Sequence, residues 1–200
     1  TPEQKEAKTI VFAENSVEWI YSFFSIWQNK GIAIPVDASS TVDDVAYILN
    51  DARPEAIWVS GQTEETARQA IEKAGVDTVV LRMDNLSGLA AHDETKETGI
   101  SFEDSDVCVI LYTSGTTGFP KGVMLTFKNL LVNIDAISCK EVPIFNKNSS
   151  TLILLPLHHV MPLVGTLVAP IFSESQVVLC PTMSGPDIMA SLQRGKVTIM

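Results

Sequence analysis

The chain has 200 residues, 46% of them hydrophobic and 19% charged, with a formal net charge of −10. That length holds one domain or a small pair, and the acidic balance without a basic face excludes an ordinary nucleic-acid binder. The three cysteines, Cys108, Cys139 and Cys180, are widely spaced, form neither a disulfide framework nor a zinc pattern, and fit free thiols in a reducing cytoplasm.

In chain order, residues 9–13 read as a strand, followed by a helix over 17–29 with Trp19, Ile20, Phe23, Phe24 and Trp27 on its apolar side. Asn15 and Ser16 are its cap candidates, and Gly31 ends it. A second strand spans 32–36. A second helix spans 40–50, capped by Ser40 or Thr41. A third strand at 56–60, a polar-faced helix at 63–74 closed by Gly75, and a fourth strand at 78–81 follow. Residues 83–105 read mostly as acidic loop, the best boundary between two subdomains, 1–90 and 91–200.

Beyond it, Val107-Cys108-Val109-Ile110-Leu111-Tyr112 is a buried strand by its continuous apolar run. Residues 122–126 continue as a strand, and Thr126 caps a helix through Leu130, Leu131 and Ile134. A buried strand at 151–155, an apolar helix at 159–172, a strand at 176–179, a helix at 186–193 and a strand at 197–200 complete the pattern. Strands and helices alternate throughout, which predicts an α/β fold with largely parallel sheets flanked by helices. The longest apolar stretch, 160–172, has 13 residues with two prolines and a glycine, too short to span a bilayer. No signal peptide is visible. The mean hydropathy of +0.19 is high for a free-standing domain. Together with a start on Thr1 and an apolar end at Met200, it reads as a segment of a longer protein.

The densest chemical signal is Thr113-Ser114-Gly115-Thr116-Thr117-Gly118, followed by Lys121. A Gly/Ser/Thr loop leaving a strand offers backbone N–H groups and hydroxyls without bulky side chains, and the lysine adds positive charge. That is the chemistry of a phosphate cradle. It is not a Walker A loop. Counted from Gly115, Pro120 stands where the second glycine belongs, and Gly122 follows Lys121 where Ser or Thr is required.

The whole string Tyr112-Thr113-Ser114-Gly115-Thr116-Thr117-Gly118-Phe119-Pro120-Lys121-Gly122-Val123 resembles the signature loop of the adenylate-forming (AMP-binding) synthetases. Glu14-Asn15-Ser16-Val17-Glu18-Trp19, Gly31-Ile32-Ala33-Ile34-Pro35-Val36-Asp37 and Tyr47-Ile48-Leu49-Asn50-Asp51 are similar to further segments of that family, in order. Leu155-Pro156-Leu157-His158-His159-Val160 resembles its segment beside the carboxylate substrate. The details look most like a long-chain fatty acid–CoA ligase. One position departs: acyl-CoA members often carry His after the Leu-Thr pair, where this chain has Phe127.

The resemblance implies part of the large N-terminal domain of an enzyme that activates a carboxylic acid with ATP and passes the acyl group to coenzyme A. On that reading the loop 113–122, through Thr113, Ser114, Gly115, Thr116, Thr117, Gly118 and Lys121, holds the phosphates. Lys121 and Thr113 are the candidate catalytic residues, and the Thr113 hydroxyl helps order Mg²⁺. His159, His158 and Val160 line the acyl pocket. The family's adenine- and Mg²⁺-binding segment, ribose-binding aspartate and catalytic lysine fall after residue 200. The 200 residues alone are therefore expected to be inactive and to self-associate. The expected partners are ATP, a carboxylic acid and coenzyme A, in the cytoplasm, with peripheral membrane contact compatible with a fatty-acid substrate. The alternatives are a non-catalytic nucleotide- or acyl-binding module, an acyl-carrier-protein ligase and an aryl-CoA ligase.

Overall fold

The computed structural model describes residues 6–85, 101–113, 120–137 and 144–200. Two compact units divide it, Thr1–Phe127 and Lys128–Met200. The expected subdomain boundary lay near residue 90. The compact units instead part at Phe127, because the strands flanking the signature loop pair with the first sheet.

The first unit is a six-stranded sheet built from β1 (Lys8–Phe12), β2 (Ile32–Val36), β3 (Ala56–Val59), β4 (Val79–Arg82), β5 (Val107–Thr113) and β6 (Lys121–Thr126), in the order β4-β3-β1-β2-β5-β6. All neighbours are parallel except β5 and β6, which form an antiparallel edge hairpin. Helices α1 (Val17–Gln28), α2 (Val42–Ala52) and α3 (Glu64–Ala74) make the crossovers among β1 to β4.

The period of two along the strands builds the core. Ile10, Phe12, Ile34, Val36, Ile57, Val59 and Ile110 share one face with Val45, Leu49 and Ala52 of α2 and Ala67 and Ala70 of α3. The alternate residues Val11, Ala33 and Val109 are equally buried. Both faces of the central strands are therefore covered, as a parallel sheet requires. Pro35 sits in this central strand although it has no N–H for a ladder bond. It lies past Ala33↔Val109, the one registered pair between β2 and β5.

Local chemistry sets the helix ends. Ser16 caps α1 by accepting from the Trp19 N–H at 3.0 Å. Thr41 and Asp44 form a reciprocal capping box on α2. Gly75 closes α3 at φ 63°, a left-handed position suited to glycine. The Trp27 indole N–H donates to the Cys108 carbonyl at 2.9 Å and ties α1 to the start of β5.

In the second unit, β7 (Ser150–Ile153) and β8 (Gln176–Leu179) are parallel. The helix α4 (Phe127–Ile137) begins on the last residue of the first unit. Between β7 and β8 runs α5, a continuous helical element of three pieces: Val160–Pro162, a wider π turn Leu163–Val168, and Ala169–Phe172. It buries Leu163, Val164, Leu167, Val168 and Ala169, while Val160, Met161, Ile171 and Phe172 are exposed. Helix α6 (Gly185–Arg194) follows β8. The strand expected over 197–200 is reduced to a single parallel bridge, Thr151↔Ile199.

Candidate functional site

The apolar run from Val107 forms β5, buried from Cys108 to Leu111, and carries the chain to Thr113 at its carboxyl end. Ligands of open α/β sheets gather at the carboxyl ends of strands. Thr113 pairs directly with Lys121 at the start of β6, so the antiparallel ladder brings the two ends of the signature string together. Opposed residues in such a ladder have Cα atoms about 4.5–5.5 Å apart. Both Thr113 and Lys121 are exposed. Ser114, Gly115, Thr116, Thr117 and Gly118, the expected body of the cradle, lie outside the described residues.

One residue pair below, Tyr112 opposes Gly122. Their packing is close: a Cβ built on Gly122 would stand 3.2 Å from the Tyr112 Cζ and 3.0 Å from the Ile110 Cγ2. The Tyr112 ring thus occupies the space a side chain on β6 would fill. Its hydroxyl donates to the Asp51 Oδ2 at 2.6 Å, reaching the last turn of α2. Partial burial, then the bond to Asp51, push the phenol pKa up, so the group remains a donor at neutral pH. The sequence places Tyr112 in a strand and in the signature string, and Asp51 in a separate family-like segment. A single chain of residues gives no signal for a contact between them.

The second group of candidates lies in the second unit. His159 occupies the N-cap position of α5, and its carbonyl accepts from the Leu163 N–H at 3.0 Å. The His158 and His159 rings are 4.0 Å apart between centroids, with His159 and Val160 exposed and His158 half-buried. Imidazoles at this spacing at a helix start can accept or donate to an approaching polar group.

Phe127, the departure from the acyl-CoA pattern, has a packing role. It stands edge-on to Trp27 with centroids 5.4 Å apart and lies 4.5 Å from Phe102. Six residue steps along β6 put it about 20 Å from Lys121 at the loop end of the hairpin, at roughly 3.4 Å per residue. A cavity of about 360 Å³ opens at that same far end, lined by residues including Glu6, Lys30, Asp106 and Phe127. Burial, then the charge of Asp106, push the Glu6 carboxyl pKa upward there. This cavity adjoins the amino end of β5 and so is remote from the loop. Among the described residues, no group of three or more His, Cys, Asp or Glu side chains is placed to hold a metal ion.

The family model of the AMP-binding enzymes matches residues 3–200. The chain belongs to the AMP-binding enzyme family. Among its curated relatives, a probable CoA ligase of Humulus lupulus is 29% identical over 82% of this chain and 33% of its own length. The mitochondrial malonate–CoA ligase of Bos taurus is 27% identical over 90% of the chain and 30% of its own length. A long-chain-fatty-acid–CoA ligase of Mycobacterium bovis is 27% identical over 77% and 28%. The chain thus spans about a third of the length of these AMP-binding relatives. The ATP-bound MatB structure from Rhodopseudomonas palustris superposes with a TM-score of 0.80 at 23% identity, covering 96% of this chain and 38% of that one. The likeness establishes the AMP-binding fold, a mostly parallel sheet flanked by helices. No helix among the described residues is long and apolar enough to cross a membrane.

Proposed function

We propose that this chain is the loop-bearing part of an AMP-forming acid–thiol ligase. The observation that carries the reading is the signature string 112–123 set on the β5–β6 hairpin, with Thr113 opposite Lys121 at the carboxyl edge of the sheet. In the proposed reaction a carboxylate oxygen attacks the α-phosphorus of ATP, the bond to the β-phosphate breaks, and pyrophosphate leaves. A thiol, that of coenzyme A, then attacks the acyl carbon and expels AMP. Loop N–H groups and hydroxyls would hold the β- and γ-phosphates, and Lys121 would balance the charge growing on the departing pyrophosphate. A Mg²⁺ ion brought with ATP would supply further charge neutralisation. Thr113 fits it as a single oxygen ligand, which suits an ion held mainly by phosphates and water.

His159 and its neighbours His158 and Val160 are proposed to face the acyl substrate. A fatty acid is favoured by the apolar α5 that follows them and by the long-chain relative. A short dicarboxylate is the second reading, favoured by the malonate–CoA ligase relatives. A cytoplasmic location is proposed for the fatty-acid reading, and the Bos taurus relative is mitochondrial.

The test is ATP–pyrophosphate exchange by the full-length protein containing this chain, with acetate, malonate, medium- and long-chain fatty acids and benzoate. Exchange stimulated by one class supports the ligase and names its substrate. A folded protein that binds ATP yet exchanges with none of them sinks the ligase reading in favour of a binding module.

A further inference from the structure

The hairpin that carries the loop is tied down at a point the phosphate chemistry does not touch. Tyr112 lies over Gly122, its cross-strand partner, and the only side-chain space available at Gly122 is filled by that ring and Ile110. An aromatic ring over a cross-strand glycine restores packing that the glycine gives up. The same ring carries its hydroxyl 2.6 Å from Asp51. Asp51 sits in the last turn of α2, a helix rooted in the core through Val45, Ile48, Leu49 and Ala52. The result is a side-chain link from a core helix to the residue pair immediately below Thr113↔Lys121. Among the described residues β6 has a neighbouring strand on one side only, β5, so the link through Tyr112 adds a second hold on this hairpin.

We propose that Tyr112 and Asp51 are positioning residues for the loop: their hydrogen bond, with the ring seated on Gly122, fixes the base of the phosphate cradle. This rests on the ligase reading above for its kinetic consequence, and on geometry alone for its structural one. Neither residue touches the reacting atoms. A cradle whose base can rotate presents its N–H groups to the β- and γ-phosphates only part of the time, and that cost falls on ATP.

The test uses Tyr112→Phe, which keeps the ring on Gly122 and deletes only the hydroxyl, with Asp51→Ala and Asp51→Asn in the full-length protein. Tyr112→Phe and Asp51→Ala should each raise the KM for ATP by about tenfold, the scale of one lost hydrogen bond to a charged group. Thioester formation from preformed acyl-adenylate should be unchanged. Asp51→Asn keeps an acceptor and should restore most of the loss, and the double variant should be no worse than either single one. Amide hydrogen exchange provides a second readout. Residues 113 and 121–123 should exchange faster in Tyr112→Phe while β1 and β3 keep their protection. Variants that lower the melting temperature but leave the KM for ATP and the hairpin protection unchanged would overturn the proposal. Should the wild type show no pyrophosphate exchange, the ligase reading fails. Hairpin protection then decides on its own whether the link exists.

Discussion

At Lys121 the backbone has already re-entered the sheet, paired with Thr113, and the side chain is exposed. Removing it should therefore cost charge stabilisation without loosening the fold. Lys121→Ala is expected to slow adenylation by about a hundredfold, the scale seen when one preorganised electrostatic group is lost. The melting temperature should stay within a degree or two, as for an exposed side chain. An unchanged rate would remove Lys121 from the mechanism. Cys108 behaves in the opposite way. It is fully buried, its S–H donates to the Leu125 carbonyl at 3.3 Å, and burial pushes its pKa from 9.0 up to about 12. The unfolded thiol ionises first, so the unfolded state holds fewer protons between those values. Stability from this group is complete below pH 9.0 and declines as pH rises toward about 12. Tyr112 acts in the same direction at still higher pH. Urea midpoints measured from pH 7 to 11 should fall less steeply for Cys108→Ala than for the wild type.

Elements whose pattern was decided locally were legible in the sequence. Gly75, the Thr41 cap and the apolar run of β5 each announced a boundary within a few residues of where it lies. The α1 stripe was less clear because nearly every residue from Trp19 to Trp27 is apolar. The buried set proves to be Trp19, Ser22, Phe23 and Ile26, which leaves Ile20, Phe24 and Trp27 only half-buried. The π turn in α5 had no signal, since widening a helix by one residue per turn leaves an all-apolar pattern unchanged. Nor did the close approach at Gly195, which depends on a distant strand. A Cβ there would meet the Val178 Cγ2 at 2.5 Å and the Ser191 carbonyl at 3.0 Å. Gly195→Ala must push α6 and β8 apart, and should destabilise the chain by about 1–3 kcal/mol, as overpacking does. A chemical denaturation midpoint equal to that of the wild type would contradict the contact.

For the whole molecule, the sequence conveyed the α/β class and the strand β5, while the division into units came from strand pairing that no local pattern reveals. On the second unit Met161, Phe172, Met183 and Met189 are more than half exposed, and Ile171 and Leu155 nearly so. Large apolar side chains gathered on one small unit favour association in water. Light scattering of the 200-residue chain should give a mass that grows with concentration, and a monodisperse monomer would refute this. The order of the first sheet also bears on how the protein comes to be made. β1 to β4 join through nearby crossovers, but β5 joins the sheet by pairing Ala33 with Val109 and by the bond from Trp27 to Cys108, residues far apart along the chain. Contacts between distant residues pay their loop-closure entropy before they repay it, so they form late. The hairpin β5–β6 is therefore expected to dock on a platform already assembled. During synthesis the strands β1 to β4 leave the ribosome before the hairpin that carries the signature string.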